Sequence, residues 1–262
     1  MGGKSASAVV CARARSISAA AWWYFAVWTA FWWGLVGLWG GLFFLGYMGF
    51  VTSAKLALYG VSIWLNAWVI SWWLGTRNRL PKLDLYHDCL SVWLLCYGMT
   101  NLLWEVPWVL LSPHVFINLN TLDDVVAHTE WMRESLCNMW WWVLASFSSC
   151  DLRTVNHDGS FYSVEIFCFT NVLSTAYFFY LNRKRSPNRY LVPVVFCGQP
   201  IAATFIFTFA EVFNNFKNMP GGVADTLLAL VWTQYQYFFF PMIIGAMGVE
   251  LLREDWCGKA SE

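Results

Sequence analysis

Apolar residues run through this chain in long stretches, separated by short clusters of charge. A bilayer crossing takes about 20 mostly apolar residues. Six stretches qualify: roughly Trp22–Phe50, Leu56–Leu74, Cys89–Leu111, Phe161–Leu181, Tyr190–Phe213 and Thr226–Leu251. The pattern predicts an all-α integral membrane protein, a bundle of about six transmembrane helices. The apolar run Ala21–Ala54 far exceeds the about 7–15-residue core of a cleaved signal peptide, so it reads as a retained helix. Leu136–Phe147, with Trp140, Trp141 and Trp142, is too short to span. It is expected to re-enter the membrane or to lie at its interface, where Trp is favoured. Gly37 and Gly41 have the spacing of a close helix contact, a common and weak pattern.

Charge orients these helices. Lys4, Arg13 and Arg15 precede the first, Arg77, Arg79 and Lys82 follow the second, and Arg183, Lys184, Arg185 and Arg189 follow the fourth. Arg253 and Lys259 follow the sixth. The long connection Ser112–Ser160 carries Asp123, Asp124, Glu130 and Glu134 instead. Cationic loops stay on the cytoplasmic side, so the path predicts a multi-pass protein with both termini cytoplasmic.

Composition agrees. Of 262 residues 58% are hydrophobic and only 12% charged, against about a quarter charged in soluble domains. The formal net charge is zero, which leaves no basic footprint for nucleic acid. No C-x-x-C pair is present; Cys137 and Cys150, inside the acidic connection, flank a non-cytoplasmic stretch and form a weak candidate disulfide. His87, His114, His128 and His157 fall in the expected connections, without the spacing of a metal site.

Two carboxylates stand out. Glu105 lies inside Cys89–Leu111 and Glu165 inside Phe161–Leu181. An ionisable group at bilayer depth is expensive and usually faces an interior cavity. Glu105 lies about 24 Å along its helix from Cys89, at 1.5 Å per residue. Glu165 enters from the same, non-cytoplasmic side, so both reach a similar depth. Pro107 and Pro200 can free backbone carbonyls near such a cavity. The bland alternative is that both glutamates reach the interface.

These residues sit in a wider pattern. From Leu74-Gly75-Thr76-Arg77 to about Leu252 the chain resembles the emopamil-binding family of delta8-delta7 sterol isomerases and its wider group, the EXPERA-domain membrane proteins. That family carries a His-x-x-x-Glu pair, matched here by Asn101 and Glu105. It carries Asp-x-Arg, then Asp, then Glu, matched by Asp151, Arg153, Asp158 and Glu165. A Gly-Gln pair is matched by Gly198 and Gln199, and a following Glu by Glu211. A late Asn and Trp ahead of a Pro look like Gln234 and Tyr237 ahead of Pro241. The first helix has no counterpart in the isomerases. The resemblance therefore implies a five-helix EXPERA core at 55–252. An N-terminal segment with one extra helix at 1–54 would precede it, and a cytoplasmic tail at 253–262 would follow. It also implies the endoplasmic reticulum membrane.

The implied reaction moves a ring double bond of a sterol or related polycyclic isoprenoid through a carbocation-like intermediate. Glu105 and Glu165 would divide the acid and base roles, since burial and mutual repulsion raise one carboxyl pKa while the other ionises. Aromatic faces would stabilise the cation; Trp104, Trp108, Tyr177, Tyr235 and Tyr237 are candidates. Asn101 lies one turn from Glu105 on the same face and is expected to bind the substrate or the carboxyl. Asp151, Arg153 and Asp158 are expected as a polar lid, Gln199 and Gln234 as a hydrogen-bond network. No metal or redox cofactor is required. The partners would be a sterol or other hydrophobic small molecule and membrane lipids; a homodimer is left open. Against this, Asp151 with Arg153 reads equally as a surface turn, and Glu211 as a solvated helix end. Asn101 replaces the family His and cannot exchange a proton near neutral pH, although His157 offers a distant substitute. That favours a second function, binding or trafficking without turnover, as in the sigma-two receptor. A third is terpene cyclisation, since Asn101-x-x-Trp104-Glu105 also resembles the Asn-x-x-Trp-Glu run of fungal membrane-bound meroterpenoid cyclases.

Overall fold

The computed structural model describes residues 15–117 and 119–257. Lys4, Arg13 and Lys259 of the cationic clusters lie outside the described residues. Every element described is helical, and six helices are long and apolar enough to cross a membrane. The protein is thus an all-α, multi-pass membrane bundle.

The first span is α1 (Ala19–Phe44). It stops where Gly46 adopts a left-handed φ of 79° and Leu45, Gly46 and Tyr47 donate back to the Gly41, Phe43 and Leu42 carbonyls. Glycine takes this conformation at little steric cost. The second span therefore starts at Phe50, earlier than the hydropathy indicated, as α2 (Phe50–Trp64) and α3 (Ala67–Arg77). The third joins α4 (Lys82–Thr100), a π-helical turn at Asn101–Glu105 and α5 (Val106–Val115). In the long connection lie α6 (Leu122–Thr129) and α7 (Met139–Ala145). The fourth span is α8 (Gly159–Glu165) with α9 (Phe167–Arg183), the fifth α10 (Leu191–Phe196) with α11 (Gly198–Phe213). The sixth joins α12 (Val223–Thr226), a π-helical stretch at Leu227–Trp232 and α13 (Tyr235–Cys257).

Several expectations are corrected by packing. His87 is not in a connection. It is fully buried in α4, where its Nδ1 pairs with the Tyr190 hydroxyl at 2.9 Å. His114 also lies inside a helix, on an exposed surface of α5. The third span reaches back to Lys82 because its polar residues are satisfied: Asp88 accepts from the Ser18 amide at 2.9 Å and hydroxyl at 2.6 Å. Arg15 reaches Asp84 at 3.4 Å and Asp255 at 3.7 Å, tying the entry of α1 to the end of α13. Gly37 and Gly41 face open space; it is Gly40 that packs closely, against Met139 and Trp142. Cys137 and Cys150 are free thiols, one exposed and one buried.

The Trp-rich stretch neither spans nor floats. With α7 and the 3-10 turn Ser146–Ser149 it folds over one end of the bundle, where Trp142 is fully buried and its Nε1 donates to the Ser53 hydroxyl at 3.3 Å. On the α2 side, Lys55 pairs with the buried Asp225 of α12.

Candidate functional site

Of the six spans among the described residues, only the first runs without interruption. The second is broken at Leu65–Asn66, the third by its π turn, the fourth at Ile166, the fifth at Cys197 and the sixth by its π stretch and the following turn. Irregular backbone at membrane depth is tolerated where it is buried in protein or lines a cavity. That is the case here: Leu65, Glu105, Glu165, Pro200 and Thr233, at or near the breaks, all line one cavity. It holds about 1120 Å³ of atom-free space, its open mouth included.

The walls are mainly apolar and aromatic. Trp142, Val143, Ser146 and Phe147 of the folded-over stretch close one end. Trp104 ties this cap to the third span, its Nε1 donating to the Val143 carbonyl at 3.0 Å. The first helix, expected as an addition outside a five-helix core, supplies Trp33 and Val36 to the same wall.

Among the sequence-derived candidates, Glu105, Glu165, Trp104, Gln234 and Tyr237 line this cavity. The two glutamates are only partly buried, and the charge of Glu165 acts on Glu105. Neither carboxyl has a hydrogen bond or ion pair with any described residue. The π turn that ends at Glu105 and the break that follows Glu165 present these side chains; π-helical turns frequently occur at functional sites. Gln234 accepts from the Thr204 hydroxyl at 3.5 Å, and Thr204 is a further wall residue.

The other candidates lie behind the wall. Asn101 is fully buried and bonds other helix atoms. Trp108 is fully buried against Phe161, ring centroids 4.9 Å apart. Tyr177 is exposed on the outer surface, and Tyr235 bonds Asn66 instead. Gln199 bridges two spans, donating to the Phe167 carbonyl at 3.0 Å. His157 is exposed, stacks on Tyr162 and does not replace the family His at the cavity.

Asp151 and Arg153 form neither a surface turn nor a cavity lid. Both are fully buried, and Arg153 Nη2 donates to Asp151 at 2.6 Å. Glu211 is not a solvated helix end: it is fully buried, lies 3.2 Å from Arg153 Nε and accepts from the Asn218 amide at 3.0 Å. Arg153 also donates to the Phe207 carbonyl at 2.8 Å. Its guanidinium stacks over the rings of Phe207 and Phe161, which face the cavity and stand between it and the cluster. Burial pushes the Asp151 carboxyl above its usual range, against the pull of Arg153. Asp158 caps α8 instead, accepting from the Ser160 and Phe161 amides at 2.9 and 3.1 Å. Burial opposes its ionisation, but these bonds and the Ser160 hydroxyl hold its carboxyl below the usual range.

Sequence reasoning passed over Tyr97, Asn171 and Gln236, which also line the cavity. The signal was available: each is a polar side chain inside an apolar run. Among the described residues no group of His, Cys, Asp and Glu is arranged to hold a metal ion. No protein-family model, no curated protein and no solved structure matches this chain.

Proposed function

We propose that this protein is an EXPERA-type intramembrane isomerase. It would move a double bond in a sterol or related polycyclic isoprenoid by proton transfer, without a cofactor. The observation that carries the reading is the pair of carboxyls, Glu105 and Glu165, both lining one largely apolar cavity, neither in an ion pair with a described residue. Unpaired carboxylates in low dielectric favour sharing a proton or meeting a cation. In the proposed reaction a protonated carboxyl adds its proton to one alkene carbon, leaving a tertiary carbocation. The other, ionised, removes a proton from a neighbouring carbon, and the double bond re-forms one position along. The two steps leave the net proton count unchanged. The ionised carboxyl and the faces of Trp104 and Tyr237 stabilise the cation. The positive-inside pattern supports cytoplasmic termini; membrane lipids and the endoplasmic reticulum follow from the family resemblance, and a homodimer remains compatible with it.

The test is expression in yeast lacking its own sterol isomerase, with sterols analysed by mass spectrometry. Delta7 sterols should return, and Glu165→Gln or Glu105→Gln should lower them by about 10²–10⁴-fold, the usual worth of a general acid or base. Absence of product from correctly inserted protein overturns the isomerase.

One observation favours a second reading, binding without turnover. Asn101, where the resemblance puts a proton-exchanging His, has both polar side-chain atoms committed to neighbouring residues. Sterol binding without product would support that role, and new cyclised prenyl products would support a cyclase.

A further inference from the structure

The hydrogen bonds around Asn101 fix the direction of a chain that ends at the cavity. The Tyr97 carbonyl can only accept, so Asn101 must turn its amide nitrogen to it, at 2.8 Å. This leaves Asn101 Oδ1 as the acceptor for Asn171, whose Nδ2 donates to it at 3.0 Å. The same Nδ2 donates to the Tyr97 hydroxyl at 2.7 Å. The order admits no flip of either amide, because flipping one would set two like groups against each other. Two capacities are left over. Asn171 Oδ1 has no donor and the Tyr97 O–H proton no acceptor among the described residues. Both residues line the cavity and are more than nine-tenths buried.

We infer that Tyr97 and Asn171 form a specificity-determining site for the hydroxyl group of an otherwise apolar, fused-ring ligand. An alcohol uses both capacities, donating to Asn171 Oδ1 and accepting from Tyr97 O–H. A ketone or ether can use only the second, and a hydrocarbon uses neither and leaves both unmet. A site built to bond a hydroxyl discriminates strongly against analogues that lack it. The position suits this role. Asn171 lies about 9 Å along the fourth span from Glu165, at 1.5 Å per residue. The hydroxyl site and the carboxyls thus stand at different levels of one cavity. The Tyr237 ring, 5.6 Å from that of Tyr97, flanks the site.

This inference rests on the proposed fused-ring ligand, and the experiment separates the two. Binding to purified full-length protein in nanodiscs is measured for four probes on one skeleton: 5α-cholestan-3β-ol, its 3-ketone, its 3-methyl ether and 5α-cholestane. Wild type should hold the alcohol about tenfold or more tighter than the ketone or ether, and tighter still than the hydrocarbon. Asn171→Leu should bring the alcohol down to the level of the ketone. Tyr97→Phe should weaken alcohol, ketone and ether without weakening the hydrocarbon, which no longer leaves that O–H unmet. The hydrocarbon serves as the folding control for both variants. Equal binding of all four probes to wild type overturns the hydroxyl site and leaves the fused-ring reading standing. Variants that weaken all four alike also overturn the site. If no probe binds, both readings fail together.

Discussion

The Arg153 guanidinium is enclosed by two carboxylates, a backbone carbonyl and two aromatic faces, with no exposure to solvent. Replacing it by Met keeps much of the volume and strands Asp151 and Glu211 as buried charges. Breaking a buried pair in this way typically costs about 3–5 kcal/mol, so Arg153→Met should lower the thermal unfolding midpoint sharply in detergent. Asp158 acts on a smaller scale. Its cap on α8 should be worth about 1 kcal/mol to an Ala variant at neutral pH. Its folded pKa is depressed. The contribution is therefore present above the unfolded value and is lost as pH falls through the folded one. Unfolding midpoints of wild type and Asp158→Ala should differ at pH 7 and converge in strong acid. Glu105 and Glu165 were legible in the sequence because charge in an apolar run has few explanations. The burial of Asp151 and Arg153 was not, since an ionic pair in a connection fits a surface turn equally well. Asn171 and Tyr97 are uncharged, and such groups usually bond neighbouring helices. Only the direction of the amide chain separates a ligand contact from a structural one.

Elements were legible where hydropathy alone defines them: all six spans lie where the apolar stretches do. Their ends shifted where local chemistry overrode hydropathy, at the left-handed Gly46 and at the capped Asp88. The π turns at Asn101–Glu105 and Leu227–Trp232 left no such trace, because a wider turn changes neither composition nor length. They nevertheless decide which side chains meet the cavity. Deleting Leu102 should let the third span run as regular α-helix and swing Glu105 off the wall. The variant should still insert and elute as a folded species in gel filtration. Product formation by the proposed isomerase should fall by about 10²-fold or more, as expected for a misplaced acid or base. A deletion variant that keeps wild-type turnover would show that the π turn does not aim Glu105.

At the scale of the whole molecule, the order and number of crossings followed from the sequence, but the role of the first helix did not. No local pattern tells whether an additional span stands beside a core or completes it. In the structure Trp33 and Val36 line the cavity, and α1 bonds α2 through Trp28, whose Nε1 donates to the Trp64 carbonyl at 3.0 Å. The entry to α1 is bound as firmly: Ser18 caps the helix, accepting from the Ala21 amide at 3.2 Å, and donates to Asp88. Ser18→Ala should lower stability by about 1 kcal/mol, the usual value of a lost helix cap, read as a lower unfolding midpoint with unchanged gel-filtration behaviour. The ion pair from Arg15 to Asp255 has a practical corollary. Since Arg15 comes within 3.7 Å of Asp255 near the end of the last span, fluorophores attached beside these two residues would sit as neighbours. Energy transfer between them would report in living cells whether the first span has docked onto the last.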